Sequence, residues 1–188
     1  MSAVTHASER AKVDSATPEQ TQQYLLFTLG SEAFAIGILA IKEIIEYDAL
    51  TTVPMMSPCI RGVINLRGAV VPVMDLAIRF DKPASPVTKR TCIVIIERHC
   101  NGEREDVGVI VDAVNAVLEI PFDEIEPAPT FGAKIRNDFL LGLGKVNGKF
   151  IILLDAARVL AVEEEEYAPD GVEQRLGATS APGAEVHA

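Results

Sequence analysis

Histidine and cysteine are the side chains best suited to catalysis or metal binding, and this chain has three of each. His6 and His187 lie in the polar ends of the sequence, and His99 adjoins the polar stretch RHCNGERED. The cysteines are Cys59, Cys92 and Cys100. Their odd number and scattered spacing match no zinc or redox motif, and they predict reduced thiols in a cytoplasm. Because no histidine can be placed beside a serine, cysteine or carboxylate partner, the sequence predicts no enzyme.

A phosphate-binding loop is the second chemistry to consider, in the stretch GLGKVNGKF. A P-loop needs four residues between its first glycine and Gly-Lys, followed by serine or threonine. Here Leu143 stands at the position of that first glycine, and Phe150 follows Lys149. The dipeptide Asn147-Gly148 instead predicts a hairpin turn, because both residues tolerate positive φ.

Arg67 is a permanent cation inside an apolar run, IRGVINLRGAVVPVMDL, at residues 60–76. An arginine near a turn is usually a surface residue that pairs loosely with a carboxylate. The alternative is a binding role, because the planar guanidinium suits recognition of a partner's carboxylates or backbone carbonyls. Glu43, within AIKEIIEYD, presents a similar choice between protecting an edge strand from aggregation and contacting a partner.

Short runs rich in valine and isoleucine, broken by glycine, proline or asparagine, carry these residues. Their spacing of about 8–12 residues predicts β-barrels or a sandwich rather than alternating βαβ units. The segment LAIKEIIEYD is open between a helix and a strand continuation. A better helix is predicted in DAARVLAVEEEEYA, with Asp155 as its N-cap.

The net charge of -10 is concentrated at the C-terminus, where residues 163–188 hold seven acids and one base. The folded part is therefore only mildly acidic, and without a basic patch we expect no nucleic-acid binding. No apolar run reaches the roughly 18–20 residues of a spanning helix, and the N-terminus has no apolar signal segment. Residues 1–21 and 168–188 are predicted to be disordered, with one domain at residues 22–167.

The chain also repeats itself weakly. The matched stretches are residues 62–75 with 142–155, 80 positions apart, and residues 38–54 with 111–127, 73 positions apart. In the first pair, Gly62 and Gly68 meet Gly142 and Gly148. We expect two similar half-barrels that pack against each other, because neither buries its apolar faces alone. A groove between them would suit binding.

Five stretches, in their order, resemble the CheW family of chemotaxis coupling proteins from about residue 23 to about residue 162. They are QYLLFTLGSEAFAIGILAIKEIIEY, VPMMSPCIRGVINLRGAVVPVMDL, DVGVIVDAVNAVLEI, EPAPTF and FLLGLGKVNGKFIILLD. The resemblance implies a mainly β fold of two SH3-like five-stranded β-barrels related by pseudo-symmetry, with a short C-terminal helix. It also implies a non-enzymatic adaptor without a cofactor or metal.

The resemblance further implies partners and the residues that bind them. CheW-like proteins join the cytoplasmic tips of chemoreceptors to the regulatory domain of the histidine kinase CheA. We therefore expect a cytoplasmic protein that is recruited to receptor arrays without entering the membrane. The positions matching the receptor-binding groove are Glu43, Gly62, Arg67, Val114 and Val117. Phe131 matches an aromatic residue at the kinase contact.

Glu126 departs from the family pattern, because many relatives have a basic residue there. The two explanations are a kinase partner of reversed charge and a weaker contact. The alternative function is ligand or oligonucleotide binding by a β-barrel. Such binding requires exposed aromatic residues and a basic groove. Seven Phe, three Tyr, no Trp and a negative net charge argue against it. Because neither end has room for a kinase or receiver segment, we expect a stand-alone adaptor.

Overall fold

A computed structural model describes residues 20–100, 102–129 and 136–162. The strands in chain order are β1 (Thr21–Leu29), β2 (Glu32–Gly37), β3 (Ile41–Glu46), β4 (Ile60–Leu66), β5 (Ala69–Asp75), β6 (Cys92–Cys100), β7 (Glu103–Val111), β8 (Ala113–Pro121), β9 (Ile125–Glu126), β10 (Leu140–Val146) and β11 (Lys149–Leu154). The helical elements are α1 (Leu76–Arg79), α2 (Ala156–Leu160) and 3₁₀ turns at Ile38–Ala40, Phe122–Glu124 and Asn137–Phe139.

The strands form two sheets, which are the two predicted SH3-like barrels. Barrel A has the strand order β8-β1-β2-β11-β10-β9, and barrel B has the order β3-β6-β7-β5-β4. Barrel A thus carries a sixth strand, the two-residue β9, beyond the five that were predicted. In each barrel one parallel pair joins distant segments, Leu153 with Ala35 in barrel A and Val73 with Gly108 in barrel B.

The sequence repeat corresponds to real structural equivalence, but the two copies exchange strands. The first copy runs from β1 to α1 and the second from β6 to α2. Barrel A combines β1 and β2 of the first copy with β8 to β11 of the second. Barrel B combines β3 to β5 of the first copy with β6 and β7 of the second. A picture of one half-barrel per copy is therefore too simple, because each barrel needs both copies to complete its sheet.

Three apolar clusters hold the barrels together. The cluster inside barrel A contains Tyr24, Ala35, Ile120, Ile151 and Leu153. The cluster inside barrel B contains Val71, Val73, Ile93, Ile95 and Ile110. The largest cluster joins residues of both barrels and includes the successively stacked or tilted rings of Phe27, Phe34, Phe80 and Phe139. Apolar burial across this junction fixes the barrels relative to each other.

Both copies contain a two-residue hairpin turn in which the backbone is left-handed. In the second copy Asn147 and Gly148 have φ of 49° and 75°, which confirms the predicted hairpin. In the first copy Arg67 and Gly68 have φ of 52° and 90°. Positive φ at both central residues is the type I′ turn, whose twist matches that of the flanking strands.

Both copies also begin their short helix with a capping aspartate. Asp75 accepts from the backbone N–H groups of Ala77 and Ile78, and Asp155 accepts from that of Arg158. The N-cap role predicted for Asp155 is confirmed, whereas the part of that predicted helix beyond residue 162 lies outside the described residues. The ambiguous LAIKEIIEYD forms a 3₁₀ turn and then strand β3, as its β-branched residues allow.

The predicted arms at residues 1–21 and 168–188 also lie outside the described residues, apart from Gln20 and Thr21. Thr21 opens β1. Within the described ranges, no helix is long and apolar enough to cross a membrane.

Candidate partner-binding site

Arg67 and Glu43 form an ion pair across the mouth of barrel B. Arg67 Nη2 donates to Glu43 Oε2 at 2.8 Å, although the residues lie on different elements. Glu43 belongs to β3 and Arg67 to the turn between β4 and β5. Strand β3 is one edge of this sheet and β4 is the other. The ion pair therefore connects the two edges of the sheet. The Arg67 side chain is 79% exposed, so its remaining N–H groups can reach a partner.

The backbone at Arg67 is unusual for its residue type. An L-residue with a long side chain adopts the left-handed region at a cost of about 1–2 kcal/mol. Asparagine and glycine avoid most of this cost, and the equivalent turn of the second copy has Asn147. The Asn65 side chain supports the first turn by accepting from Gly68 N at 2.8 Å. For the stability of the turn alone, asparagine or glycine would be the preferred residue at position 67.

Two exposed apolar side chains lie on strands β3 and β5, which carry or follow the two residues of the ion pair. Ile44, next to Glu43 on β3, is 42% exposed, and Val70 on β5 is 73% exposed. Val71 instead faces the core of barrel B. The strand alternation thus places some apolar side chains of this hairpin inside and others outside. The ion pair, Ile44 and Val70 form what we call the rim of barrel B.

Gly62 lies within β4 and not at the turn. A Cβ atom at this position would lie 2.5 Å from the carbonyl oxygen of Thr51, closer than real contacts allow. Gly142, its equivalent, has the same relationship at 2.6 Å to the carbonyl oxygen of Glu126. Gly62 is therefore explained by close backbone approach, because only glycine fits against the neighbouring segment.

Val114 and Val117 lie on β8, an edge of barrel A, and so on the other barrel from the ion pair. Val114 is half-buried and packs against the cluster between the barrels, as does Ile41 at the start of β3. Val117 is 47% exposed. Of the five predicted receptor-binding residues, Arg67 and Glu43 touch, whereas the two valines belong to a separate strand.

Ile44 and Val70 are not among the predicted receptor-binding residues. A signal for Ile44 was available, because the repeat aligns it with Val117, and both side chains are exposed. No comparable signal marks Val70, since strand alternation alone does not say which face is buried.

The predicted kinase-contact residue Phe131 lies outside the described residues. Glu126 lies before that segment, on β9. Its side chain is exposed, and its backbone pairs with Leu143 of β10. The proline-rich segment that follows thus leaves from an edge of barrel A.

A network of charges covers the outer face of barrel B. Lys42 Nζ lies 2.9 Å from Asp106 Oδ2 and 3.7 Å from Glu97 Oε2. Its hydrogen bond to Asp106, followed by smaller charge interactions, holds the pKa of Lys42 above its ordinary value. His99 is exposed on β6, with Nε2 3.9 Å from Glu97 Oε1. These contacts describe a solvated ion-pair network rather than an acid–base catalyst.

The described ranges offer few candidate residues for metal binding or thiol chemistry. No group of three or more His, Cys, Asp or Glu residues there could hold a metal ion. Cys59 is a free, buried thiol, and Cys92 is a free, half-buried one. The fold and the rim together define a two-barrel protein with an exposed surface that combines an ion pair with apolar side chains.

Comparisons with known proteins agree with this class. The family model described as a CheW-like domain matches residues 23–164. The Chemotaxis protein CheW of Klebsiella aerogenes is 36% identical, over 76% of this chain and 84% of that protein. The Bacillus subtilis Chemotaxis protein CheW is 34% identical, over 79% of this chain and 94% of that protein.

A solved structure gives the same result. The scaffolding protein TtCheW from Thermoanaerobacter tengcongensis superposes with a TM-score of 0.68 at 30% identity, covering 77% of this chain and 90% of that chain. The chain belongs to the CheW family. Its function is that of a chemotaxis adaptor that works through protein partners in this signalling system, and a ligand- or oligonucleotide-binding barrel is not favoured.

Proposed function

We propose that this adaptor couples the cytoplasmic tips of chemoreceptors to the regulatory domain of a CheA-type histidine kinase, without catalysing a reaction itself. The rim of barrel B binds the receptor tip. Val117, on the edge of barrel A, adds apolar contact area. The protein acts in the cytoplasm, where receptor arrays recruit it.

The observation that carries the receptor half of this proposal is the left-handed conformation of Arg67. Its ion pair with Glu43 is too exposed to repay that conformation reliably, because such pairs contribute about 0–1 kcal/mol. A binding role gives a reason for the arginine, since a guanidinium donates several directed hydrogen bonds to carboxylate or carbonyl oxygens. Glu43 supports this role, because its hydrogen bond from Arg67 Nη2 restricts the position of the guanidinium.

The apolar part of the rim suits a helical partner. A receptor tip built as a helical hairpin offers an apolar stripe flanked by polar groups. Ile44 and Val70 supply exposed apolar surface on strands β3 and β5. Contact area from the apolar residues and directed hydrogen bonds from Arg67 would together fix affinity and register.

The kinase half of the proposal assigns Phe131 to the contact with the regulatory domain. Its support is the family membership of the chain and the proline-rich sequence EPAPTF, which leaves from the β9 edge of barrel A. Aromatic residues are common anchors at protein interfaces. Glu126 lies at this edge, and its charge selects between kinase partners.

Separate titrations of two purified partners test the proposal. Wild type, Arg67→Ala and Arg67→Lys are titrated with a receptor tip fragment and, independently, with a kinase regulatory domain. We expect Arg67→Ala to abolish receptor binding and Arg67→Lys to restore it partly, because lysine keeps the charge but lacks the fork. Kinase binding and the melting temperature should remain unchanged. Equal loss for both partners, or a loss that follows the melting temperature, would contradict a receptor-specific role.

A further inference from the structure

The two apolar residues of the rim of barrel B have exposed equivalents on barrel A. Val117 of β8 corresponds to Ile44 at a shift of 73 positions, and Phe150 of β11 corresponds to Val70 at a shift of 80. Phe150 is 55% exposed, and the other three side chains are exposed as well. Single exposed apolar residues are ordinary, but here the repeat places them at the same positions on both barrels. The equivalence indicates a shared use of these positions.

The ion pair of the rim is not repeated on barrel A. Ala116 and Asn147 stand at the positions equivalent to Glu43 and Arg67. Asn147 is explained by the left-handed backbone of its turn, which asparagine adopts readily. It therefore needs no role in binding. A polar contact made by barrel A has to come from another side chain near Phe150.

Lys145 of β10 is that side chain. It lies directly opposite Phe150 in the β10–β11 hairpin, and residues opposite each other in an antiparallel pair share a face. Lys145 is exposed, and among the residues that the structure describes it has no ion-pair partner. Its equivalent in the first copy is Asn65, which is uncharged and whose side chain accepts from Gly68 N. Barrel A thus presents an unpaired cation beside an exposed aromatic ring.

Phe150 lies on the face of β11 that leads to the junction between the barrels. Residues two apart on a strand point to the same face, and Ile152 packs against the cluster that joins the barrels. Ile41 of β3 and Val114 of β8 pack against the same cluster. Phe150 is about 7 Å from Ile152 along the strand. A helix of 20 residues is about 30 Å long, so one helical partner has the length to contact both barrels.

We propose that Phe150 and Lys145 form a second contact surface for the receptor tip, on barrel A. This inference rests on the proposed coupling to receptors and extends the contact area already assigned to Val117. The Phe150 ring packs on the apolar stripe of a receptor helix, and the Lys145 ammonium pairs with a carboxylate beside that stripe. Arg67 on barrel B sets the register of the tip, and the barrel A surface adds affinity.

Titration of four full-length variants with a receptor tip fragment tests this surface. We expect Phe150→Ser to weaken binding at least about tenfold, as loss of an aromatic anchor does, and Lys145→Gln to weaken it about threefold. Phe122→Ser is the first control, because Phe122 is 52% exposed on another part of barrel A. Lys149→Gln is the second, because Lys149 lies opposite Val146, on the other face of the hairpin. Both controls should bind within about twofold of wild type.

A tryptophan reporter locates the contact directly, because the chain has no tryptophan. Phe150→Trp keeps an aromatic ring at the proposed anchor, and Phe122→Trp is its matched control. When a receptor tip fragment without tryptophan is added, we expect the indole at 150 to emit at shorter wavelength. We also expect acrylamide to quench it at least about twofold less efficiently, because the partner helix covers the ring. The indole at 122 should not change.

The outcomes separate this inference from the proposed function. If Arg67→Ala loses receptor binding while Phe150→Ser binds as wild type does, this inference is wrong and the proposed function stands. If the wild-type chain does not bind the receptor tip, both are wrong. A loss of affinity confined to the kinase regulatory domain would assign the surface to the kinase. Protection of the indole at 150 that rises with protein concentration alone would assign it to a second copy, and either result overturns the receptor assignment.

Discussion

Arg67 and Asn147 occupy the same position of two equivalent hairpin turns, 80 residues apart, and both have left-handed backbones. The two turns have nearly the same φ, 52° and 49°, although only asparagine suits that conformation. Comparing Arg67 with Asn147 separates the effect of the residue on turn stability from its effect on receptor binding. The chain therefore contains its own reference for the effect of Arg67 on stability.

Arg67→Asn should leave the free energy of unfolding unchanged or raise it by up to about 1 kcal/mol. Relief of the left-handed conformation offsets the loss of an exposed ion pair. Receptor binding should weaken by at least about tenfold, since hydrogen bonds to charged groups contribute about 1.5–3 kcal/mol. Urea unfolding and titration with a receptor tip fragment measure the two effects. Asn147→Arg is the matched control, which should lose stability slightly and bind the receptor normally.

Gly62→Ala and Gly142→Ala should each destabilise the fold by about 2–3 kcal/mol, because the new methyl group meets a backbone carbonyl that cannot move aside easily. Gly37→Ala is the control, since its methyl group would meet only the flexible Gln22 side chain at 3.2 Å. Thermal unfolding compares all three. A Gly62→Ala variant of normal stability that fails to bind the receptor would show instead that the partner approaches this backbone.

Asp75→Ala should cost more stability than Asp155→Ala, although both residues cap equivalent helices. Asp75 is 3% exposed, accepts two backbone N–H bonds, and lies 3.0 Å from Arg61 Nη1. Its loss should cost about 2–4 kcal/mol, because buried polar and charged groups then lack partners. Asp155 accepts one N–H bond and is more exposed, so about 1 kcal/mol is expected. Equal losses in urea unfolding would contradict the difference.

Tyr24 should make stability fall at high pH. Burial raises the pKa of the Tyr24 phenol above its ordinary value of 10.0. Above that value the unfolded chain releases a proton that the folded chain retains, so the free energy of unfolding decreases as pH rises. Below it both states keep the proton, and no effect is expected. Tyr24→Phe should reduce the decline above pH 10, measured by urea unfolding across the alkaline range; an identical decline would contradict this.

Phe131→Ala should weaken binding to the kinase regulatory domain by about 1–3 kcal/mol with no comparable loss of fold stability. Isothermal titration gives the affinity, and thermal unfolding gives the stability. Receptor binding by the same variant is the control and should be unaffected. If kinase affinity stays at the wild-type value, the anchor lies elsewhere, with the first-copy strands the next to test.

Local chemistry in the sequence predicted much of this fold. The Asn147-Gly148 turn and the Asp155 cap follow from residue preferences alone. The 80-residue repeat in the sequence also aligns β4 and β5 with β10 and β11. Such features depend on a few neighbouring residues, so a pattern in the sequence reports them directly.

The remaining features depend on segments far apart in the chain. The exchange of strands between copies arises from the pairing of β2 with β11 and of β5 with β7, which no local pattern encodes. The partner of Arg67 was unpredicted for the same reason, because Glu43 lies on a strand at the opposite edge of the sheet. The receptor and kinase roles of the candidate residues stay predictions until binding is measured.

The exchange of strands also has a consequence for the synthesis of the protein on the ribosome. The β1–β2 hairpin emerges early, but β2 obtains its second neighbour, β11, only when Ile152 and the residues around it have been made. Until then the nascent chain presents an open strand edge, which is prone to pairing with other chains. Neither barrel can be completed by the first copy alone. We therefore expect folding to be largely post-translational, and nascent chains halted before β11 to depend on chaperones.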